Sequence, residues 1–279
     1  MVLRDERGRG SRGGDGTRGT SSTAVRTISG MPRLAIVTGA ARRVGRAVAL
    51  ELARHGWDLL LTHRSRAAEN QQTAVDARKA GAESGRSIDV RAEELDLSDL
   101  AAVEQFGRVH AVGTVDALVL SAAQYSRTPF GMIDAATAER EMRVNAIAPL
   151  LLVQSFASAL TRSSLNGGGA VVAFGDIHAM GRPRRAFLPY LMSKSALHCM
   201  VEALALEVAP AVRVNAIAPG VVAWPDDAPL EEREAYESRI PLARAGTPED
   251  AARLVRSIIE DMPYVTGSVI RLDGGRWLR

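Results

Sequence analysis

From position 34 onward, short runs of β-branched and aliphatic residues alternate with longer stretches whose apolar positions lie three and four apart. The short runs cover 34–38, 58–62, 87–93, 117–121, 170–174, 212–216 and 268–272, and each reads as a buried strand. Between the first two, Val44, Val48 and Leu52 share one helical face, and His55-Gly56 marks a stop. Strands that alternate with helices require right-handed crossovers and a parallel sheet. The pattern predicts one doubly wound α/β sheet of about seven strands, with helices on both faces. Ligands of such a sheet bind at the carboxyl ends of its strands, so the loops there are the candidate site.

Residues 1–30 break the pattern. They are rich in Gly, Ser, Thr and Arg, lack aliphatic periodicity, and read as a disordered tail ahead of one domain at 31–279. Met31 is a candidate natural start. The tail holds six arginines against three acids, which is the whole formal surplus of +3 on the 279-residue chain. The rest balances, so a folded domain built for nucleic acid is disfavoured. Arg9-Gly10-Ser11-Arg12-Gly13-Gly14 reads either as a weak, salt-sensitive nucleic-acid contact or as an inert extension. With 46% apolar and 24% charged residues the body has globular composition. No run of about 18 uninterrupted apolar residues exists to span a membrane. The single Cys199 and the lack of an opening signal segment predict a cytoplasmic location. No metal-ligand spacing is present.

The first strand runs into Thr38-Gly39-Ala40-Ala41-Arg42-Arg43-Val44-Gly45 and then a helix. Gly39 permits a tight turn, Gly45 a close helix–strand approach, and the helix N-terminus offers N–H groups to a pyrophosphate, as in a Rossmann-type dinucleotide site. An NAD site places an acid at the end of the second strand for the ribose hydroxyl. Here that position reads His63-Arg64-Ser65, with no carboxylate, which suits the 2′-phosphate of NADP(H). After the third strand Asp96-Leu97 is placed either to contact the adenine or to cap a helix.

Tyr190 and Lys194 sit one turn apart at the start of a helical stretch. An ammonium there is expected to lower the phenol's pKa and make it a proton donor or acceptor near neutral pH. The chain uses Arg almost to the exclusion of Lys, Lys79 being the other lysine, so a lysine at 194 suggests that a compact ammonium is needed.

Together these residues resemble the short-chain dehydrogenase/reductase family over 31–279. The likeness rests on Thr38-Gly39, Asn145 within Arg143-Val144-Asn145-Ala146, Tyr190 with Lys194, Pro219-Gly220, Thr266-Gly267 and Asp273-Gly274-Gly275. It implies hydride transfer from a nicotinamide, with Tyr190 as acid, Lys194 holding the ribose and tuning the tyrosine, and Asn145 holding a relay water. It also implies that Ser121, Ala122, Pro219 and Gly220 line the cofactor, and that the chain is a homotetramer built through helices around 135–160 and 190–208.

Arg43 stands where most members have the middle glycine of the turn, and Asp176 stands near the usual serine. With His63-Arg64-Ser65, Thr128-Pro129 and the 219–227 loop, these features resemble the pteridine reductases. That likeness implies Arg43 reaching towards phosphate and pterin, Asp176 assisting protonation of the ring, Tyr125 stacking on it, and Trp224 in a covering loop. Asp176 is otherwise a loop acid, and Tyr125 and Trp224 are otherwise aromatics packed under their loops. Two departures stand against the likeness: Leu120-Ser121-Ala122-Ala123 replaces the usual amide-bearing loop, and the spacing from Asp176 to Tyr190 is one residue long. The leading expectation is an NADPH-dependent pteridine reductase; the alternatives are a reductase of another carbonyl and a non-catalytic NADP-binding regulator.

Overall fold

The computed structural model describes residues 32–225 and 228–279. The arginine-rich tail, the candidate start at Met31, and Asp226 and Asp227 of the covering loop lie outside the described residues.

The apolar runs pair as one parallel sheet in the order β3-β2-β1-β4-β5-β6-β7. The strands are β1 (Arg33–Thr38), β2 (Trp57–His63), β3 (Val90–Glu94), β4 (Ala117–Leu120), β5 (Gly169–Phe174), β6 (Val212–Pro219) and β7 (Val269–Leu272). The helices are α1 (Arg43–Arg54), α2 (Ala67–Glu83), α3 (Leu100–His110), α4 (Ala135–Met142), α5 (Ala148–Leu160), α6 (Leu188–Glu207), α7 (Leu230–Glu237) and α8 (Pro248–Glu260). Strand order reverses between β1 and β4, where Val37 pairs with Leu61 on one side and Val119 on the other. The crevice above that reversal is where a doubly wound sheet takes a ligand.

Alternation along the strands divides the core into two layers. Val37, Leu59 and Leu61 face one way, against Val48 and Leu52 of α1 and Val255 and Ile258 of α8. Ile36, Leu60 and Leu118 face the other way, against Phe106 of α3, Phe156 of α5 and Val201 of α6. This is the two-residue period of a strand buried on both sides.

Most predicted strand boundaries fall within one residue of the observed ones, and two differ by three. The third strand starts at Val90, not at 87, because this edge strand pairs only with β2 and its ladder begins at Leu59↔Val90. The sixth runs on to Pro219 because β5 and β7 flank it, the last pair being Pro219↔Leu272. The stretch 135–160 is not one uniform helix: a π-helical segment, Arg143–Ile147, separates α4 from α5. By length and composition the whole stretch could cross a membrane. Its apolarity is accounted for by Leu152, Val153, Phe156 and Leu160, which are buried in the second core layer.

Candidate active site

The turn after β1 is built by contact. Gly39 has φ +68°, and a Cβ there would lie 2.8 Å from Ala122 Cα. A Cβ on Gly45 would lie 2.3 Å from Gly39 O, so helix and turn are pressed together as a cofactor turn requires. Arg43 opens α1 at φ +50°, a left-handed conformation costing about 1 kcal/mol in a non-glycine residue. Arg42 precedes it in extended backbone, among the described residues no side chain caps α1, and no acid lies in its first turn. By contrast Asp99, Asp134 and Thr247 cap α3, α4 and α8. The N-terminus of α1, with Val44 beside it, thus keeps its positive field for an anion. Thr38 Oγ1 accepts from Ser121 N at 3.0 Å and from Ala122 N at 3.1 Å. One hydroxyl thereby supports the β4 loop that lacks the usual amides.

At the end of β2, His63 is buried and Asn70 Nδ2 lies 3.0 Å from its Nδ1. Arg64 and Ser65 are exposed. Arg64 Nη1 donates to Gln124 Oε1 at 3.4 Å, spanning from β2 to the loop after β4. Asp96 Oδ1 accepts from both the main-chain N and the hydroxyl of Ser98 at 2.8 Å. It does not cap α3, a role taken by Asp99, and Leu97 is buried. Pro219 ends β6, and Gly220 N donates to Leu272 O at 3.0 Å.

Tyr190 lies in the first turn of α6, and its hydroxyl donates to Asp176 Oδ2 at 3.0 Å. Asp176 Oδ1 accepts from His178 N at 2.7 Å, so the carboxylate begins a short 3-10 turn that orients it. The longer spacing between Asp176 and Tyr190 is taken up in the loop, where Gly181 adopts φ +137° and Ala186 φ +66°. Lys194 is buried, and its Nζ donates to Phe174 O at 2.7 Å. Burial pulls that ammonium down to about 8, against the opposing fields of Asp176 and Glu141.

The expected direction for Tyr190 is corrected here. Burial first, and then the Asp176 carboxylate, push the phenol well above its ordinary value. The reason is geometric: Asp176 touches the hydroxyl, whereas Lys194 Nζ lies 5.9 Å from the ring centroid. Near neutral pH the residue is a protonated phenol, able to donate.

Asn145 sits in the π-helical segment. Its Oδ1 accepts from Gln124 N at 2.8 Å, and its Nδ2 contacts Gln124 O, Glu141 Oε2 and Ser193 Oγ, each at 2.9 Å. Glu141 also accepts from Ser126 N at 2.9 Å, and burial raises its carboxyl. Glu141 and Ser193 were missed in the sequence. Their signals were an acid four residues before Asn145 and a serine beside Lys194. His198, one turn beyond Lys194, is also new. Asp176 N donates to its Nε2 at 3.4 Å, and burial followed by Lys194 pulls it down to about 4.

Tyr125 is half exposed and stacks on Phe187 at 4.8 Å, with its ring edge-on to Tyr190 at the same distance. One wall of a flat slot therefore adjoins the Tyr190 hydroxyl. Trp224 packs edge-on against Tyr236 of α7 at 5.6 Å, and its Nε1 donates to Glu237 Oε1 at 3.1 Å. It is held by α7, the arrangement of an aromatic packed beneath its loop.

A family model described as Enoyl-(Acyl carrier protein) reductase matches residues 39–276. The chain is 32% identical over 256 residues to a ketoacyl reductase of granaticin polyketide synthesis from Streptomyces violaceoruber, covering 88% of this chain and 96% of the relative. It is 30% identical over 290 residues to pteridine reductase 1 of Leishmania tarentolae, covering 89% and 98%. Among solved structures, acetoin dehydrogenase from Salmonella typhimurium superposes with a TM-score of 0.77 at 28% identity, covering 89% of this chain and 97% of that one. These matches, the seven-stranded sheet and the Tyr190–Lys194 cluster agree: the chain belongs to the short-chain dehydrogenase/reductase family, whose members are oxidoreductases using a nicotinamide cofactor.

Proposed function

We propose that the chain is an NADPH-dependent reductase of a pteridine. The observation that carries this reading is the 3.0 Å hydrogen bond from Tyr190 to Asp176, which joins two acids beside the half-exposed ring of Tyr125. A reduced pterin needs a proton on a ring nitrogen as the neighbouring carbon accepts hydride, and a phenol–carboxyl pair can supply it. The nicotinamide, when bound, supplies the hydride. Thr38, Gly39, Arg42, Arg43, Val44 and Gly45 would hold its pyrophosphate, Arg64 with His63 and Ser65 the 2′-phosphate, and Asp96 and Leu97 the adenine. Ser121, Ala122, Pro219, Gly220 and Lys194 would flank the nicotinamide ribose. The glycine contacts and uncapped α1 fit that group. Arg43, Asp176, Tyr190 and Tyr125 would face the substrate, with Asn145 placing a relay water. The same reading includes a cytoplasmic homotetramer.

A second reading, reduction of another carbonyl, is favoured by the ketoacyl reductase relative. NADPH absorbance followed with dihydrobiopterin, dihydrofolate and a panel of ketones separates the two. Turnover of a pterin supports the first, and turnover of ketones alone removes it.

A further inference from the structure

Beyond Asp176 the chain builds a second feature. A cavity of about 330 Å³ is lined by Arg182, Arg184, Arg239, Arg276 and Arg279 together with His178 and Trp277, and among the described residues no Asp or Glu side chain lines it. Nearby acids are already engaged: Asp176 by Tyr190 and His178 N, and Asp273 by the main-chain N–H groups of Gly275 and Trp277.

The wall is also short of partners. Three of the four buried side-chain atoms without a hydrogen bond among the described residues belong to it or touch it: His178 Nε2, Arg276 Nε and Tyr236 Oη. The Tyr236 ring contacts His178 edge-on at 6.4 Å and lies 5.2 Å below the Arg276 guanidinium. Arg182 and Arg276 both donate to one acceptor, the main-chain oxygen of Arg279, so these two guanidinium groups converge on a single oxygen of the chain itself.

The cavity adjoins the candidate active site at two points. His178 follows Asp176 and donates its N–H to it, and Arg184 Nη1 donates to Tyr125 Oη at 3.4 Å. A substrate with its ring beside Tyr125 and Tyr190 would extend its arm along Arg184 into the cavity.

We propose that this cavity is an anion subsite for the substrate's arm, and that the preferred pteridine carries an amide-linked carboxylate arm in place of a neutral one. Several guanidinium groups that have no Asp or Glu side-chain partner among the described residues, gathered around one concavity, recognise carboxylate or phosphate oxygens by charge-assisted hydrogen bonds. The identity of the ring rests on the function proposed above; the subsite does not.

The test is isothermal titration of the full chain with p-aminobenzoyl-glutamate and, separately, inorganic phosphate, alongside steady-state kinetics with dihydrofolate and dihydrobiopterin. The wild type is expected to bind p-aminobenzoyl-glutamate. The double variant Arg239→Gln/Arg276→Gln should lose roughly tenfold or more in that affinity, and the double lysine variant should recover part of it. The glutamine variant's kcat/KM for dihydrofolate should fall by a similar factor, while that for dihydrobiopterin stays level. No binding by the wild type, or equal binding by a glutamine variant whose melting curve is unchanged, overturns the subsite. Binding of phosphate without p-aminobenzoyl-glutamate overturns the carboxylate assignment. Binding as expected with no turnover of either pterin keeps the subsite and removes the pteridine reading.

Discussion

Tyr190 and Asp176 share one proton-bearing contact, and the buried phenol stays protonated well past neutrality. Tyr190→Phe removes the donor while leaving the ring's packing and every proposed cofactor contact intact. Its kcat is expected to fall at least 100-fold with NADPH affinity nearly unchanged, as read by stopped-flow absorbance and fluorescence titration. Arg64, exposed at the end of β2, tests the cofactor preference. Arg64→Glu should weaken NADPH far more than NADH, and equal weakening would remove the case for the 2′-phosphate. His198 gives a pH signature. Burial and Lys194 hold it at about 4, below the 6.5 of an ordinary histidine. The unfolded chain therefore binds the proton more tightly, so stability is complete above pH 6.5 and is lost as pH falls towards 4. Urea melts across that window should show a steeper acid loss for the wild type than for His198→Gln, which keeps an acceptor for Asp176 N.

At the scale of elements, the turn between β1 and α1 leaves no room for a methyl group. Gly45→Ala would drive Cβ to within 2.3 Å of Gly39 O, a backbone atom that cannot swing away. The variant should lose about 2 kcal/mol or more and bind NADPH weakly; a thermal melt unchanged from wild type would contradict the packing. This turn was readable in the sequence because strand, glycines and helix are consecutive. The sheet was readable too, since Ile36 and Val37 alternate between layers and Leu59, Leu60 and Leu61 do likewise. What could not be read depends on distant partners. The start of β3 is set by its ladder with β2, and the contact of Asp176 with Tyr190 depends on how a 14-residue segment folds back. The π-helical segment carrying Asn145 leaves no mark in apolar spacing, because Glu141, Ser193 and Gln124 stabilise it from three directions. The direction of the Tyr190 shift was misread for the same reason: spacing located Lys194 but neither the burial of the phenol nor the carboxylate in contact with it.

At the scale of the molecule, α5 and α6 present apolar side chains outward. Leu150, Leu188 and Met192 are 39%, 48% and 55% exposed, and Ile147 of the π-helical segment, just ahead of Leu150, is exposed as well. Burying such residues between copies would stabilise an assembly. Light scattering is expected to give about four times the 29.8 kDa chain mass, and a monomer would remove the proposed homotetramer.

The reversal of strand order between β1 and β4 has one further consequence. The loops after β2 and β3 carry the groups assigned to the nucleotide's 2′-phosphate and adenine, and the loops after β4, β5 and β6 carry those assigned to the reacting end. The loop after β1 serves both ends, since Thr38 holds Ser121 and Ala122, whereas the loop after β2 meets the β4 loop through the long, exposed Arg64–Gln124 contact at 3.4 Å. A graft of the loop after β2 from an NAD-using relative should then exchange the coenzyme and leave the choice of substrate as it was.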